Sequence, residues 1–381
     1  MRRCEVAVVG LGLMGGAAMH ALLARGADAL GFDPLPVGSA RGSSHGSCRV
    51  FRRFNFESPA YTALGAAAYE GWKALEAETG RRVLIDAPVL EAGPPGSEVV
   101  RASRAFAAAA GAPPTGPATG AQANAAFPAF NLPADWDVVV NQGGVMLAEE
   151  ALRAFLAGAA DRIVAAEAAI SPAEDGVWVR TRNDEVLARQ VIVAAGPWIG
   201  ELLPELGPLL KITRQTVGWF RPAAPERVRL GAFPVFMIDG PAGFIYGFPD
   251  FEGRGVKAAR HDHGPIVGPD AWDPPASVAE LAPVAQTLAA LIPGAAGPVT
   301  ETDVCLYANT IAADVRPDAG EEFIIDRLPR DPRIIVASPC SGHGAKFASA
   351  IGEILARLAL EPTYDPDPAF RLDRFSSIAR S

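Results

Sequence analysis

Residues 4–33 read CEVAVVGLGLMGGAAMHALLARGADALGFD. Cys4 to Val9 is a short apolar run suited to a buried parallel strand, and Gly10-x-Gly12-x-x-Gly15 follows it at once. An Ala/Leu-rich segment to about Arg25 reads as a helix, and the apolar Ala29 to Phe32 ends at Asp33. Strand, glycine turn, helix, strand and acid in this order predict a βαβ unit that binds a dinucleotide. The glycines let the backbone turn tightly and approach a pyrophosphate, whose charge sits at the helix N-terminus. Asp33, about 20 residues beyond the turn, is placed to accept from a ribose hydroxyl.

Outward from this unit, 381 residues leave room for two domains at roughly 150 residues each. Apolar residues at 49% and charged residues at 20% are ordinary for a globular chain, which excludes disordered and fibrous classes. The net charge of −9, with no Lys/Arg run, argues against nucleic acid as a partner. No window has the roughly 18 to 20 uninterrupted apolar residues of a membrane span. The N-terminus runs straight into a structured pattern without a signal peptide, so neither membrane nor export is expected. Four scattered cysteines, Cys4, Cys48, Cys305 and Cys340, lack the spacing of a zinc site or disulfide framework. They point to a reducing cytoplasm and no metal. Lysine is rare in this Arg-rich chain, with Lys73, Lys211, Lys257 and Lys346 the only ones. Lysine retained against that bias marks positions where a compact ammonium has its own use.

Further along, apolar and aromatic residues at helical spacing from Ser58 to Thr79 predict an amphipathic helix. Strands are expected around 83–85 and 89–90, a helix over 97–111, and an irregular crossing over the Ala/Pro/Gly-rich 112–130. Strand 138–140, a turn at Gly143-Gly144, a helix over 148–160 and strands at 163–168, 176–180 and 190–194 restore an α/β pattern. After Thr213, alternating stretches such as 216–220 and 243–248 suggest an antiparallel sheet, followed by a helix over 277–292. Strands at 323–325 and 334–336, a glycine turn and a helix over 345–359 end the chain. The expected architecture is α/β, with a nucleotide domain built from 1–85, 143–212 and 300–381. A substrate domain, 86–142 and 213–299, carries the antiparallel sheet.

Several segments together resemble the monomeric sarcosine oxidase and N-methyltryptophan oxidase family, part of the amino acid oxidase group with a glutathione-reductase-type FAD domain. They are Gly10 to Gly15, Ser44-His45-Gly46 to Arg52, Ala195 to Trp198, Tyr246 to Pro249, Lys257 to His261, Cys305-Leu306-Tyr307, and Ser341 to Phe347. The resemblance implies FAD, joined through the sulfur of Cys305, whereas a lone strand cysteine is ordinarily a small buried hydrophobe. It implies that Ser44, Arg49, Gly342, His343, Gly344 and Lys346 contact the cofactor, beside Gly10, Gly12, Gly15 and Asp33. Lys257 corresponds to the oxygen-activating lysine, a fixed cation near developing negative charge. Arg52 and Lys346 correspond to a clamp on the substrate carboxylate. Tyr246, Met237 and Tyr307 correspond to pocket walls, and His45 and His261 to histidines beside flavin and substrate.

The implied reaction is oxidation of an N-methyl or other N-substituted amino acid. Hydride passes to flavin N5, the imine hydrolyses, and oxygen is reduced to hydrogen peroxide by a monomeric enzyme. Here Ala308 to Arg316 intervenes between Cys-x-Tyr and Pro317-Asp318, and Arg260 precedes His261, which leaves substrate size open. Rival readings are a fructosyl-amino-acid or pipecolate oxidase, a nicotinamide-dependent dehydrogenase sharing the glycine motif, and a flavin-binding protein without catalysis.

Overall fold

The computed structural model describes residues 2–39, 41–55, 57–240, 243–261, 264–271, 276–311 and 322–375. Among these residues the strands form two eight-stranded sheets. In the first, Arg2–Val9 pairs in parallel with Ala29–Phe32 on one side and Glu185–Val193 on the other. Parallel pairing continues outward to Ile163–Val164 and to Asp331–Ser338. Ile324–Leu328 closes one edge antiparallel, and the hairpin Ala169–Ala173/Gly176–Arg180 joins Glu185–Val193. Val6, Ala7 and Val8 are wholly buried, as are Val191, Ile192 and Val193. Such strands read as continuous apolar runs because both faces of a parallel sheet are covered.

The helix Leu13–Ala24 packs against Ala148–Leu156 and Ala348–Leu360. A Cβ on Gly352 would lie 2.6 Å from the Ala17 backbone, so the small residues of these helices are what allow the close approach. The helix Pro59–Thr79 lies on the same side, burying Tyr61, Leu64, Trp72 and Leu75 along one stripe. That stripe matches the 3.6-residue spacing seen in the sequence.

The second sheet runs Val299–Thr310, Leu210–Phe220, Val256–Arg260, Gly243–Phe248, Val235–Gly240, Leu84–Gly93, Asp137–Leu147, Cys48–Arg52. Every pair is antiparallel except Val235–Gly240 with Leu84–Gly93. The boundaries expected after residues 85, 142 and 299 therefore fall within or at the end of strands of this one sheet. Gly143-Gly144 is not a turn but strand interior. A Cβ there would strike the Phe51 and Ile85 carbonyls at 2.3 and 2.1 Å, so the glycines admit neighbouring backbones. The expected pieces 83–85 and 89–90 are a single strand, Leu84–Gly93. The segment 112–130 contains the helix Gly120–Ala126, whose first turn is capped by Thr119 accepting from the Gln122 N–H. The insertion expected at 308–316 lies, from residue 312 on, outside the described residues.

The carboxyl ends of the parallel strands, at Val9-Gly10, Phe32-Asp33, Ala194-Ala195 and Ser338-Pro339, open on one cavity. This is where ligands bind in open α/β sheets. One face of the second sheet forms the opposite wall.

Candidate active site

Gly10 has φ 91, and a Cβ there would lie 2.5 Å from the Ala194 carbonyl oxygen. A Cβ on Gly15 would fall 1.8 Å from the Gly10 carbonyl oxygen, so only glycine lets the helix start against its own strand. Gly12 lies between them at the N-cap, and the Leu13 N–H donates to Ser44 Oγ at 2.9 Å. Asp33 accepts from the Leu11 and Leu35 N–H groups at 2.7 and 2.8 Å. It thus holds the glycine turn in place while its remaining lone pairs face the cavity. A turn tight enough to exclude any Cβ, at a helix N-terminus that no acidic side chain occupies, fits a pyrophosphate. The cavity measures about 1300 Å³ and runs from this turn to the second sheet, with volume for a dinucleotide and a small substrate. Gly10, Gly12, Asp33 and Ser44 line it; Gly15 stands behind them.

At the other end, period-two alternation in Val299–Thr310 aims Asp303, Cys305 and Tyr307 into the cavity and buries Val304, Leu306 and Ala308. The Cys305 thiol lies 3.9 Å from the Ser43 carbonyl and 3.8 Å from that of Leu306. Burial pushes this thiol up, opposed by the Arg49 cation. Arg49 is fixed by the backbone, donating to the carbonyls of Cys48, Ser43 and His45 at 2.9, 3.0 and 2.6 Å. His45 pairs through Nδ1 with the Gly42 carbonyl at 2.7 Å and through Nε2 with Asp303 at 3.4 Å. Burial would raise the Asp303 carboxyl, but the bond and charge of His45 hold it below its usual value.

Lys257, from Val256–Arg260, is buried with its Nζ 4.9 Å above the Trp219 ring and 5.8 Å from that of Phe248. Burial lowers its ammonium. Tyr246 and Met237 are cross-strand partners. The Tyr307 hydroxyl donates to that of Tyr246, and burial pushes both phenols up. His261 stands 6.1 Å from the Tyr246 ring and 5.9 Å from that of Tyr307. Gly342, at φ 73, brings the backbone against Tyr307 and His261, and Gly344 lines the same wall.

Two buried cations, Arg52 and Lys346, also reach the cavity. Lys346 Nζ donates to the His343 carbonyl at 2.8 Å, and Trp72 Nε1 donates to the Lys346 carbonyl at 2.8 Å. Burial, then the nearby Arg52 charge, drives the Lys346 ammonium well below its usual value. His343 is wedged among aromatics, 4.8 Å from Phe323 and 5.0 Å from Tyr61. Burial, then Lys346, keeps its imidazole well below the ordinary range.

Every residue given a site role in the sequence except Gly15 lines this one cavity. Three acids were not foreseen. Glu57 bonds Arg52 Nη2; burial opposes its ionisation, yet Arg52 and Lys346 hold it well below the usual carboxylate range. Glu91 lies behind the clamp, and Asp303 beside Cys305. Asp303 was recoverable as the residue two before Cys305 on one strand face, and Glu91 as a lone acid in the apolar run 89–92.

A glycine turn that fits a diphosphate, across a cavity from a strand-borne thiol and lysine, points to the class of dinucleotide-dependent oxidoreductases. Comparison with known proteins narrows it. Residues 5–358 match the DAO family, described as FAD dependent oxidoreductase, and the chain belongs to that family. It is similar to monomeric sarcosine oxidase of Arthrobacter sp. (strain TE1826), 31% identical over 366 residues, 93% of this chain and 92% of that one. It is also similar to N-methyl-L-tryptophan oxidase of Yersinia pestis (strain Pestoides F), 30% identical over 385 residues, 97% and 99% of the two chains. NikD, an unusual amino acid oxidase essential for nikkomycin biosynthesis, shares the fold at TM-score 0.80 and 20% identity, with 96% of each chain covered. The chain is thus an FAD-dependent oxidoreductase of the sarcosine oxidase type, which sets the nicotinamide reading aside. Among the described residues no helix is long and apolar enough to cross a membrane.

Proposed function

We propose that the protein is an oxidase of secondary amines, specifically of N-methyl or other N-substituted amino acids, acting as a monomer with FAD tethered to Cys305. The observation that carries this reading is the pair of buried cations, Arg52 and Lys346, at the end of the cavity walled by Tyr246, Tyr307 and Met237. Two cations inside a low-dielectric wall suit a small carboxylate, and the aromatic and thioether surfaces suit the apolar remainder of an amino acid. An arriving carboxylate adds counter-charge to the Lys346 ammonium beside Arg52, which favours its charged form and strengthens its grip. Holding the acid end fixes the neighbouring carbon and its nitrogen, and that positioning is the protein's main contribution to the rate.

Bound FAD supplies a two-electron acceptor that molecular oxygen regenerates with release of hydrogen peroxide. Lys257 presents a fixed cation where negative charge develops on oxygen. Arg49, locked by three carbonyls, lowers the cost of thiolate at Cys305 and favours attachment there. His45 and Asp303 hold the adjoining loop to this strand. Tyr246, Tyr307 and His261 exclude water and shape the wall without giving up protons, in keeping with phenols pushed up by burial.

A panel of N-methyl, cyclic and glycated amino acids, with the matching carboxamides, tests the reading through peroxide release in air and loss of flavin absorbance under nitrogen. An N-alkyl amino acid is expected to bleach the flavin fastest and its carboxamide hardly at all. Equal rates with acid and amide contradict the clamp, and a preference for primary amines contradicts the substrate class.

A further inference from the structure

Glu91 sits in the strand Leu84–Gly93 directly across from Met237, so its side chain shares the face that Met237 presents to the cavity. It is 1% exposed, and neither carboxyl oxygen has a hydrogen-bond partner. Four groups from four segments face it. Arg52 Nη1, from Cys48–Arg52, stands 3.8 Å away, and Glu57, from the loop before Pro59–Thr79, bonds the other arm of that guanidinium. Lys346 adds its charge from the turn Ala345–Phe347, and Ser103 comes from the helix Glu98–Ala109, close but outside bonding geometry. Two carboxyls and two cations therefore share one largely buried compartment. A buried carboxylate with no donors is costly unless neutralised. Arg52 already serves Glu57, and a substrate carboxylate would draw both cations away from Glu91.

We propose that Glu91 is a specificity-determining acid behind the clamp, which takes one proton from bulk solvent when a carboxylate ligand engages Arg52 and Lys346. The balance is simple: an O–H bond forms on Glu91, one buffer proton is consumed, and the compartment keeps its net charge as the anion enters. Burial, against the pull of Arg52, pushes the Glu91 carboxyl up to about 7 in the free protein, so the group is poised to exchange that proton near neutrality. Ionised Glu91 repels the anion. Carboxylate binding consequently weakens as pH rises past about 7, approaching tenfold per pH unit, while a neutral ligand feels no such slope.

The inference rests on the carboxylate clamp of the proposed function, and acetate separates the two. The holoenzyme is titrated with acetate, and with acetamide as neutral control, following the flavin spectrum from about pH 6 to about pH 8.5; calorimetry in buffers of different ionisation enthalpy counts protons. Expected are a falling acetate affinity above about pH 7 with proton uptake, and a flat acetamide response. Glu91→Gln should abolish the slope and bind acetate about thirtyfold tighter than the native protein at the alkaline end. A Glu91→Gln protein that keeps the slope overturns the proposal and gives the proton to Lys346. Acetate binding unaffected by Arg52→Gln overturns the clamp itself, whatever Glu91 does. Should Glu91→Gln not fold, difference infrared on the native protein decides. Appearance of a protonated-carboxyl carbonyl band on acetate binding above about pH 7 supports the proposal, and its absence overturns it.

Discussion

Lys257 is a cation kept in an aromatic box rather than in an ion pair; no carboxylate bonds it among the described residues, and Trp219 and Phe248 face its ammonium. A charge held this way is available to oxygen rather than spent on a neighbour. Lys257→Met is therefore expected to slow flavin reoxidation roughly 10²- to 10³-fold and substrate reduction far less, read by stopped flow in the two half-reactions. Because burial lowers this ammonium, native reoxidation should decline as pH rises through a midpoint below that of an exposed lysine, and the variant should show no such decline. Equal losses in both half-reactions would remove Lys257 from this role. Much at this scale was readable beforehand, since the lysine stands out in an Arg-rich chain. The acids were harder. Glu91 matters only through its distance to Arg52, which depends on two strands far apart in sequence, and Glu57, although five residues from Arg52, meets it through an irregular loop that leaves no periodic signal.

At the scale of elements, the helix Pro59–Thr79 does more than cover the first sheet. Trp72 is fully buried, and its indole N–H donates to the carbonyl of Lys346, tying this helix to the turn that carries the clamp. Trp72→Phe keeps most of the buried ring and loses the bond. It should cost about 1 kcal/mol in urea denaturation and raise KM more than it lowers kcat. An unchanged KM would show that the tie is structural only. Helices and parallel strands were legible because 3.6-residue spacing and unbroken apolar runs are local signals. Gly143-Gly144 misled because a close backbone approach and a turn make the same demand on sequence, absence of a side chain. The helix Gly120–Ala126 hid in a Pro/Gly-rich stretch, resting on its Thr119 cap rather than on periodicity.

For the whole molecule, the two sheets meet around the cavity, so a dinucleotide bound there touches both and ties them together. Anything that binds only the folded state stabilises it by mass action. The proposed covalent bond at Cys305 would make that stabilisation independent of concentration. The native protein should stay yellow through acid precipitation and show a melting temperature insensitive to added FAD. Cys305→Ser should release its flavin on precipitation, and once stripped should melt lower, with a midpoint that climbs as FAD is titrated in. A persistent adduct in that variant would identify another thiol as the anchor. The two-sheet plan was foreseen from the change of pattern after Thr213, whereas sheet membership was not. Strands such as Cys48–Arg52 and Val299–Thr310 join the second sheet from positions flanking the first, and pairing between distant segments leaves no local trace.

The ribbon Val299–Thr310 places an acid, a thiol and a phenol at every second residue, in unbroken register with Leu210–Trp219. Adding or deleting one residue inside it would turn Val304 and Leu306 toward the ligand and send the reactive trio into the core. Divergence toward other amines is thereby channelled into exchanges of side chains along a frozen backbone, with changes of length left to the loops beyond it.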